Sequence, residues 1–280
     1  MEPSKVDPRG EQAVFVDYHT HHERCGHAQG SMEAMIKAAI ELGMDQIGLS
    51  DHSPFFCDEN DHPNPGMTMA KSDFPNYVQE MIELRNEYKG RIDVRLGVES
   101  DYLPGLMEQY ALIYAQYPLD YIIGSVHYFR GYHVFASERW RQENVDVDGT
   151  YVDYIRLIQD AARCGKFDIL GHIDAVKGLN VPCSISLDTL WDETAQIIAD
   201  AGIAVEINTS GLRKKCGSWF PSADIVQRLH RLGVPFTFGS DAHGPDQLLH
   251  DWSGVTGFLK EIGVKEIATF KRRERIMLPL

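Results

Sequence analysis

Seven histidines and two acids hold the chemistry open to this chain: His19, His21, His27, His52, His127, His172 and His243, with Glu99 and Asp241. A neutral imidazole offers a nitrogen lone pair and a carboxylate offers oxygens, a mixture that suits borderline or hard divalent ions such as Zn, Mn or Fe. Taken singly, each residue has a plainer reading: a capping Asp, a solvated Glu, a core histidine satisfied by one hydrogen bond. His19-Thr20-His21 is weak on its own for the same reason. Gathered in one place the set exceeds the roughly four to six ligands that one ion takes. It fits two or three ions that share carboxylate bridges. Sites of that kind hydrolyse, because the ions lower the pKa of a bridging water to give hydroxide at neutral pH and clamp both oxygens of an in-line displacement. Phosphate esters are their natural substrates, since phosphate oxygens bind several cations at once. Arg213, in Glu206-Ile-Asn-Thr-Ser-Gly-Leu-Arg213-Lys-Lys215, adds a planar fork suited to phosphate beside a tight turn expected over Asn208 to Gly211. Lys177 is a second candidate for the same anion, whereas Lys214 and Lys215 read as a solvated basic run.

The elements that must position these residues are short apolar runs separated by helical patterns. Runs rich in β-formers occur at Ala13–Asp17, Gln46–Ser50, Val94–Val98, Tyr121–Val126, Phe167–Leu170, Ala204–Ile207 and Phe236–Gly239. Between them the three- and four-residue spacing of apolar side chains predicts helices at Met32–Ile40, near Phe74–Tyr88, Leu106–Tyr117, Tyr151–Cys164, Thr189–Ala201 and Ala223–Leu232. Ser31 is placed to cap the first and Gly43 to end it; Gly202 and Gly233 are placed to stop the last two. Such alternation predicts an α/β protein with a parallel sheet covered by helices. A chemically capable residue follows the C-terminal end of every run. An open sheet would spread these ends along a line, whereas a barrel collects them at one mouth, where barrel enzymes place their sites. The expectation is a barrel of seven strands with no eighth evident, in one domain spanning 1–280.

The wider composition agrees. The 280 residues hold 27 Lys+Arg against 41 Asp+Glu, a formal charge of −14, which argues against a nucleic-acid partner and against a basic membrane-surface helix. Five scattered cysteines with no C-x-x-C pair point to a reducing compartment. The polar start, Met1 to Glu11, is unlike a signal peptide, and no apolar run spans a membrane, so a cytoplasmic protein is expected.

The sequence resembles the PHP (polymerase and histidinol phosphatase) superfamily, and within it the monofunctional histidinol-phosphatases. The motifs are Asp17-Tyr-His19-Thr-His21 with His27 and Ser31, Leu49-Ser-Asp-His52-Ser-Pro54, Gly97-Val-Glu99-Ser-Asp101, Gly124-Ser-Val-His127, Gly171-His172-Ile-Asp174, Asn208-Thr-Ser-Gly-Leu-Arg213-Lys214 and Gly239-Ser-Asp241-Ala-His243. The resemblance implies a distorted TIM-like (β/α)7 barrel with a trinuclear site that hydrolyses L-histidinol phosphate in histidine biosynthesis, through attack of a metal-bridging hydroxide on phosphorus. By analogy His19, His21, Glu99 and Asp241 hold one ion, Glu99 bridges to a second held by His127 and His172, and His27, His52 and His243 hold the third. The catalytic candidates are then Glu99, Asp241, His243 and Arg213, with Arg213, Lys177 and Asp101 binding substrate. Asp51, Asp101 and Asp174, next to ligands, orient imidazoles, attract the substrate amine or cap strand ends. The long loop Tyr128 to Gly149 is either a substrate lid or a packed surface loop, and His22, His62, His230 and His250 read as non-ligands. Rival readings are phosphoester hydrolysis of another small substrate (a nucleotide or phosphorylated sugar), an amidohydrolase-type deaminase, and a polymerase-associated module. Glu99, the additional His27, His52 and His243, and Arg213 speak against the deaminase; the charge and the intact ligand set speak against the module.

Overall fold

The computed structural model describes residues 13–62 and 66–280, so the polar start Met1 to Glu11 lies outside the described residues. In chain order the elements are β1 (Val16–Asp17), α1 (Met32–Glu41), β2 (Gln46–Leu49), α2 (Phe74–Glu87), β3 (Asp93–Leu96), β4 (Glu99–Asp101), α3 (Met107–Tyr114), β5 (Ile123–Ser125), β6 (Tyr128–Phe129), β7 (Tyr132–His133), α4 (Val147–Arg163), β8 (Ile169–Leu170), α5 (Asp188–Ala201), β9 (Ala204–Asn208), α6 (Ala223–Arg231), β10 (Phe236–Gly239), α7 (Trp252–Glu261), β11 (Glu266–Lys271) and β12 (Glu274–Pro279). Local chemistry sets several boundaries as expected. Ser31 accepts a hydrogen bond from Ala34 N at the start of α1, and Gly43 follows its end with φ +69°. Helix α4 begins earlier than the apolar spacing implied, because the Asp146 side chain accepts from Gly149 N at 2.8 Å and caps it.

The barrel strands form two parallel ladders, β1-β2-β3 and β10-β9-β8-β5-β4. Backbone bonds join the ladders at both seams. At one, Tyr18 N donates to Phe238 O at 3.0 Å and His21 N to Ala242 O at 2.8 Å. At the other, β3 and β4 are halves of a single stave interrupted at Gly97-Val98: Gly97 N donates to Leu49 O on one side, while Ile123 N donates to Val98 O on the other. The seven apolar runs thus become seven staves of one parallel ring, with helices outside.

Tyr121 crosses the ring interior below the site, its hydroxyl donating to Tyr18 O at 2.6 Å. A Cβ on Gly48 or Gly97 would collide with its ring, so both staves need glycine there. Tyr77, fully buried on α2, donates to Gly97 O at 2.9 Å and accepts from Asp51 N at 3.1 Å, tying the helix to the upper ends of β2 and β3. Leaving such a buried group unpaired would cost about 1–3 kcal/mol.

Helix α7 and the β11–β12 hairpin add to what the sequence pattern indicated. The hairpin turns on Arg272 and Arg273, both at positive φ (+53° and +66°), and lacks the Asn-Gly or Asp-Gly that usually marks such a turn. It lies at the N-terminal end of the barrel, where Phe270 N donates to Tyr18 Oη at 3.1 Å and Val14 N to Pro279 O at 3.2 Å. No helix among the described residues is long and apolar enough to cross a membrane.

Candidate metal centre

Closure of the ring brings the strand-end residues to one mouth. Strand β1 runs into His19 and His21, β2 into Asp51 and His52, β5 into His127, β8 into His172, and β10 into Asp241 and His243, while β4 opens with Glu99. Glu99, 1% exposed, is the hub. Its Oε2 lies 2.8 Å from His52 Nδ1, 3.3 Å from His19 Nε2 and 3.6 Å from His21 Nε2; its Oε1 lies 3.0 Å from His172 Nε2 and 3.4 Å from His127 Nε2. Asp241 Oδ1 is 3.2 Å from His21 Nε2, 3.5 Å from His243 Nδ1 and 3.8 Å from His19 Nε2. His27 joins through His243, their Nε2 atoms 3.1 Å apart. All nine expected donors converge.

The outer nitrogens decide which way the rings present their lone pairs. His19 Nδ1 is 2.8 Å from Glu206 Oε2, His21 Nδ1 3.2 Å from Asp51 Oδ1, and His127 Nδ1 3.0 Å from Asp101 Oδ1. An ionised carboxylate only accepts, so each Nδ1 carries the proton and each Nε2 turns its lone pair inward. Nε2 of His19 and His21, Oε2 of Glu99 and Nδ1 of His172 are buried without a hydrogen-bond partner. Lone pairs facing carboxylate oxygens repel unless a proton or a cation lies between them. Donor atoms within 4.8 Å of one another form the groups His19/His21/Glu99, His19/His172/Asp241, His52/Glu99/His127 and His21/His52/His243. The donor set therefore fits divalent cations.

Without a cation, charge takes over that role. Burial works against ionising Glu99 and Asp241, but the surrounding imidazoles, His19 foremost, outweigh it and hold both well below the ordinary carboxylate range. Burial also works against ionising His21 and His127. For His21 the neighbouring carboxylates of Asp241 and Asp51 prevail, for His127 those of Glu99 and Asp101, and both imidazoles rise to about 9. His243 is pushed down to about 3, by burial first and then by the His21 charge, and so stays neutral. Cys25 lies within reach of His21 and Asp51, but burial, reinforced by Asp51, pushes its thiol far up, so it remains protonated. Two ligand candidates, His172 (φ +24°) and Asp241 (φ +53°), hold left-handed backbone conformations, strain of the kind that collects at functional sites.

The grouping differs from the expected sets in two respects: His172 and Asp241 fall together with His19, and the third trio is changed. His52 sits on Glu99 and is grouped with His127, and again with His21 and His243, while His27 stays exposed with its ring 5.3 Å from that of His52.

Over the cluster opens a cavity of about 380 Å³, walled by Met67, His133, Phe135, Arg213, Lys214 and Gln247. Arg213 is part of that wall. The residues Thr209–Arg213 form a 3₁₀ turn capped by Asn208, and Arg213 Nη2 donates to Ser240 O and Asp241 O, each at 2.9 Å. Two substrate-binding expectations change. Lys177 does not line the cavity; its ammonium is 2.7 Å from Asp174 Oδ2 and donates to Trp219 O at 2.8 Å. Asp101 stands behind His127, its Oδ1 accepting from both N and Nδ1 of that residue, so it orients a ligand instead of meeting substrate. Lys214, read as solvated, is the lysine that walls the cavity. Asp51 also orients imidazoles, lying against both His21 and His22.

The stretch from Tyr128 to Gly149 is packed: β6 and β7 form a hairpin, and Arg139, 4% exposed, stacks 3.7 Å over Phe129 and donates to Phe129 O. It still supplies His133 and Phe135 to the cavity wall, His133 lying nearly parallel to His127 at 5.5 Å. His22 stands behind Asp51, and His22, His62, His230 and His250 belong to none of the donor groups among the described residues. Sequence reasoning missed Glu206. Its Oε2 accepts from His19, and its Oε1 from His172 N and Asn208 Nδ2, each at 2.8 Å. A charged residue inside an apolar strand run was the available signal.

Known proteins match this fold and sequence. The family model of the PHP domain matches residues 17–210. The "Probable histidinol-phosphatase" of Deinococcus radiodurans is 32% identical over 260 residues, covering 92% of this chain and 97% of the relative. The histidinol-phosphatase of Bacillus subtilis is 27% identical over 250 residues, covering 81% and 92%. The crystal structure of histidinol phosphate phosphatase from Lactococcus lactis subsp. lactis, complexed with zinc, L-histidinol and phosphate, superposes with a TM-score of 0.79 at 23% identity, covering 94% of this chain and 98% of that one. That last likeness is one of fold.

Proposed function

The chain belongs to the PHP domain family, and on that premise we propose that it is a metal-dependent histidinol-phosphatase, cleaving L-histidinol phosphate to L-histidinol and phosphate. One observation carries the reading: Glu99 presents both oxygens to five imidazoles, and the lone pairs facing it at His19 and His21 are buried and unpaired. His19, His21, Glu99 and Asp241 would hold one divalent ion, Glu99, His127 and His172 a second, and His27, His52 and His243 a third. Bound there, Zn, Mn or Fe ions supply Lewis acidity and a water acidic enough to be hydroxide at neutral pH.

The protein's own groups do the rest. Glu206, Asp51 and Asp101 hold the Nδ1 protons of His19, His21 and His127, so those rings cannot turn their lone pairs away. Arg213, braced on Ser240 O and Asp241 O, directs its guanidinium into the cavity, where a phosphate oxygen can take a charge-assisted bond. Ser210 Oγ, 2.9 Å from Asp241 Oδ2, and Asn208 fix the carboxylate that shares a strained backbone turn with His243. Hydrolysis adds water across the P–O bond: the hydroxyl goes to phosphorus and the proton to the histidinol oxygen. The chain acts as one domain spanning 1–280, and the five free cysteines suit a cytoplasmic setting.

The test is phosphate release from L-histidinol phosphate beside a panel of nucleotides and sugar phosphates, with Mn or Zn supplied. We expect the histidinol ester to be turned over fastest, at two to three ions per chain by elemental analysis. Equal rates across the panel, or none with histidinol phosphate, would refute the substrate assignment, and fewer than two ions would refute the shared-bridge centre.

A further inference from the structure

We infer that Lys214 is the second phosphate-binding cation, beside Arg213, and that Phe135 is the platform that presents it; the inference rests on the phosphatase reading above. Arg213 and Lys214 are consecutive, and in a strand their side chains would face opposite ways. Here the 3₁₀ turn after β9 prevents that. Asn208 Oδ1 accepts from Ser210 N at 2.9 Å, Lys214 N donates back to Gly211 O at 3.1 Å, and both side chains reach the same cavity.

The Lys214 ammonium lies 4.5 Å above the centre of the Phe135 ring. That ring is held on its other contacts. Gly178 packs so closely that a Cβ there would strike it, Phe220 lies at 6.1 Å and His133 at 5.8 Å. An aromatic face steadies an ammonium by its quadrupole without supplying a counter-charge. Lys214 makes no ion pair among the described residues, whereas Lys37, Lys166 and Lys177 each have a carboxylate at 2.7 to 2.8 Å. In a chain of net charge −14, a cation that walls a cavity and makes no ion pair among the described residues is available to an incoming anion. Lys177 offers the contrast: a phosphate could recruit it only by breaking its pair with Asp174. A phosphomonoester dianion has three terminal oxygens. Arg213 reaches the cavity from the Asp241 side and Lys214 from the Phe135 side, so the two cations can take different oxygens.

The test uses the full, metal-loaded chain and the variants Lys214→Ala, Lys214→Arg, Lys177→Ala and Phe135→Leu. The readouts are KM and kcat for L-histidinol phosphate, and the dissociation constant of inorganic phosphate by calorimetry. Loss of one charge-assisted contact in a solvated cavity should raise both KM and the phosphate constant about tenfold in Lys214→Ala, with kcat changed less than about threefold. Lys214→Arg should recover most of the loss, Lys177→Ala should match the parent, and Phe135→Leu should raise the phosphate constant about threefold by releasing the ammonium from its ring. Unchanged phosphate binding in Lys214→Ala overturns the inference, as does the same loss appearing in Lys177→Ala instead. A fall in kcat at constant phosphate affinity would mark a structural role and overturn it too. A parent protein that hydrolyses no ester would refute the phosphatase reading, and the calorimetric comparison would still decide Lys214.

Discussion

Replacing Glu206 by glutamine changes one atom in a residue that touches no substrate, and it should still weaken the metal centre. Both carboxylate oxygens are acceptors: Oε1 takes two N–H groups, from His172 N and Asn208 Nδ2, and Oε2 takes the His19 Nδ1 proton. An amide has only one acceptor oxygen. Set toward His172 and Asn208, it satisfies two donors and leaves its NH2 facing His19. Nδ1 must then accept, the proton moves to Nε2, and the lone pair aimed at Glu99 and Asp241 is lost. The opposite orientation keeps His19 correct but sets the NH2 against two donors at 2.8 Å. The side chain has little room to escape, since Gly239 packs against it so closely that a Cβ there would strike Oε2. Removing a carboxylate that orients a ligating imidazole typically lowers metal affinity 10–100-fold, about 1.4–2.7 kcal/mol. The assay is titration of chelator-stripped parent and Glu206→Gln protein with Zn against a chromophoric competitor, with circular dichroism to check that both are folded. A tenfold or greater loss in a folded variant is expected. Equal affinities would refute the claim that Glu206 sets the His19 tautomer.

Three further predictions concern the same centre. Glu99→Ala should abolish both metal retention and turnover; full metal content by elemental analysis would refute Glu99 as the shared ligand. In metal-free protein, His21 and His127 titrate near 9, and His19 well above its ordinary value, against about 6.5 unfolded. For raised imidazoles the stabilisation is full below the unfolded pKa and is lost as pH rises through the folded one. The Tm of chelator-treated protein should therefore fall between pH 7 and about 9.5, whereas metal-loaded protein, whose ligands are already deprotonated, should not follow it; a flat profile for the stripped protein would count against protons standing in for ions. Gly211→Ala would drive a Cβ into Ser218 O, a backbone atom that cannot swing aside. It should cost about 1–3 kcal/mol in denaturant unfolding and raise KM by displacing the turn that bears Arg213; unchanged stability and KM would show that the turn can give.

Much of this was legible from residue order. The seven staves, most helix boundaries and all nine converging donors are local signals: an apolar run, a capping Ser31 or Gly202, a histidine or acid at the run's end. Strand alternation with helices implies a parallel sheet, and a capable residue at the end of every run pointed to a barrel that collects those ends, so the donor set followed from positions along the chain. Legibility ended where partners are distant or where charge suggests solvent. Glu206 lies in the middle of a strand run, and its bond to His19 spans 187 residues. Lys214 and Lys215 look alike in sequence, yet the turn at Thr209–Arg213 sends only the first to the cavity. Lys177 stood as a second candidate beside Arg213, yet Asp174 and Trp219 O hold it away from the cavity. The β11–β12 hairpin gave no turn signal because two arginines occupy its positive-φ positions.

The sequence by itself determined the inventory of donors and the rim on which they sit, because strand period and helix caps are short-range properties of neighbouring residues. Only the tertiary structure decided which nitrogen of each ring faces inward, which carboxylate holds it there, and which lysine reaches the cavity. Each of those depends on the single partner that closure of the barrel leaves within hydrogen-bond distance.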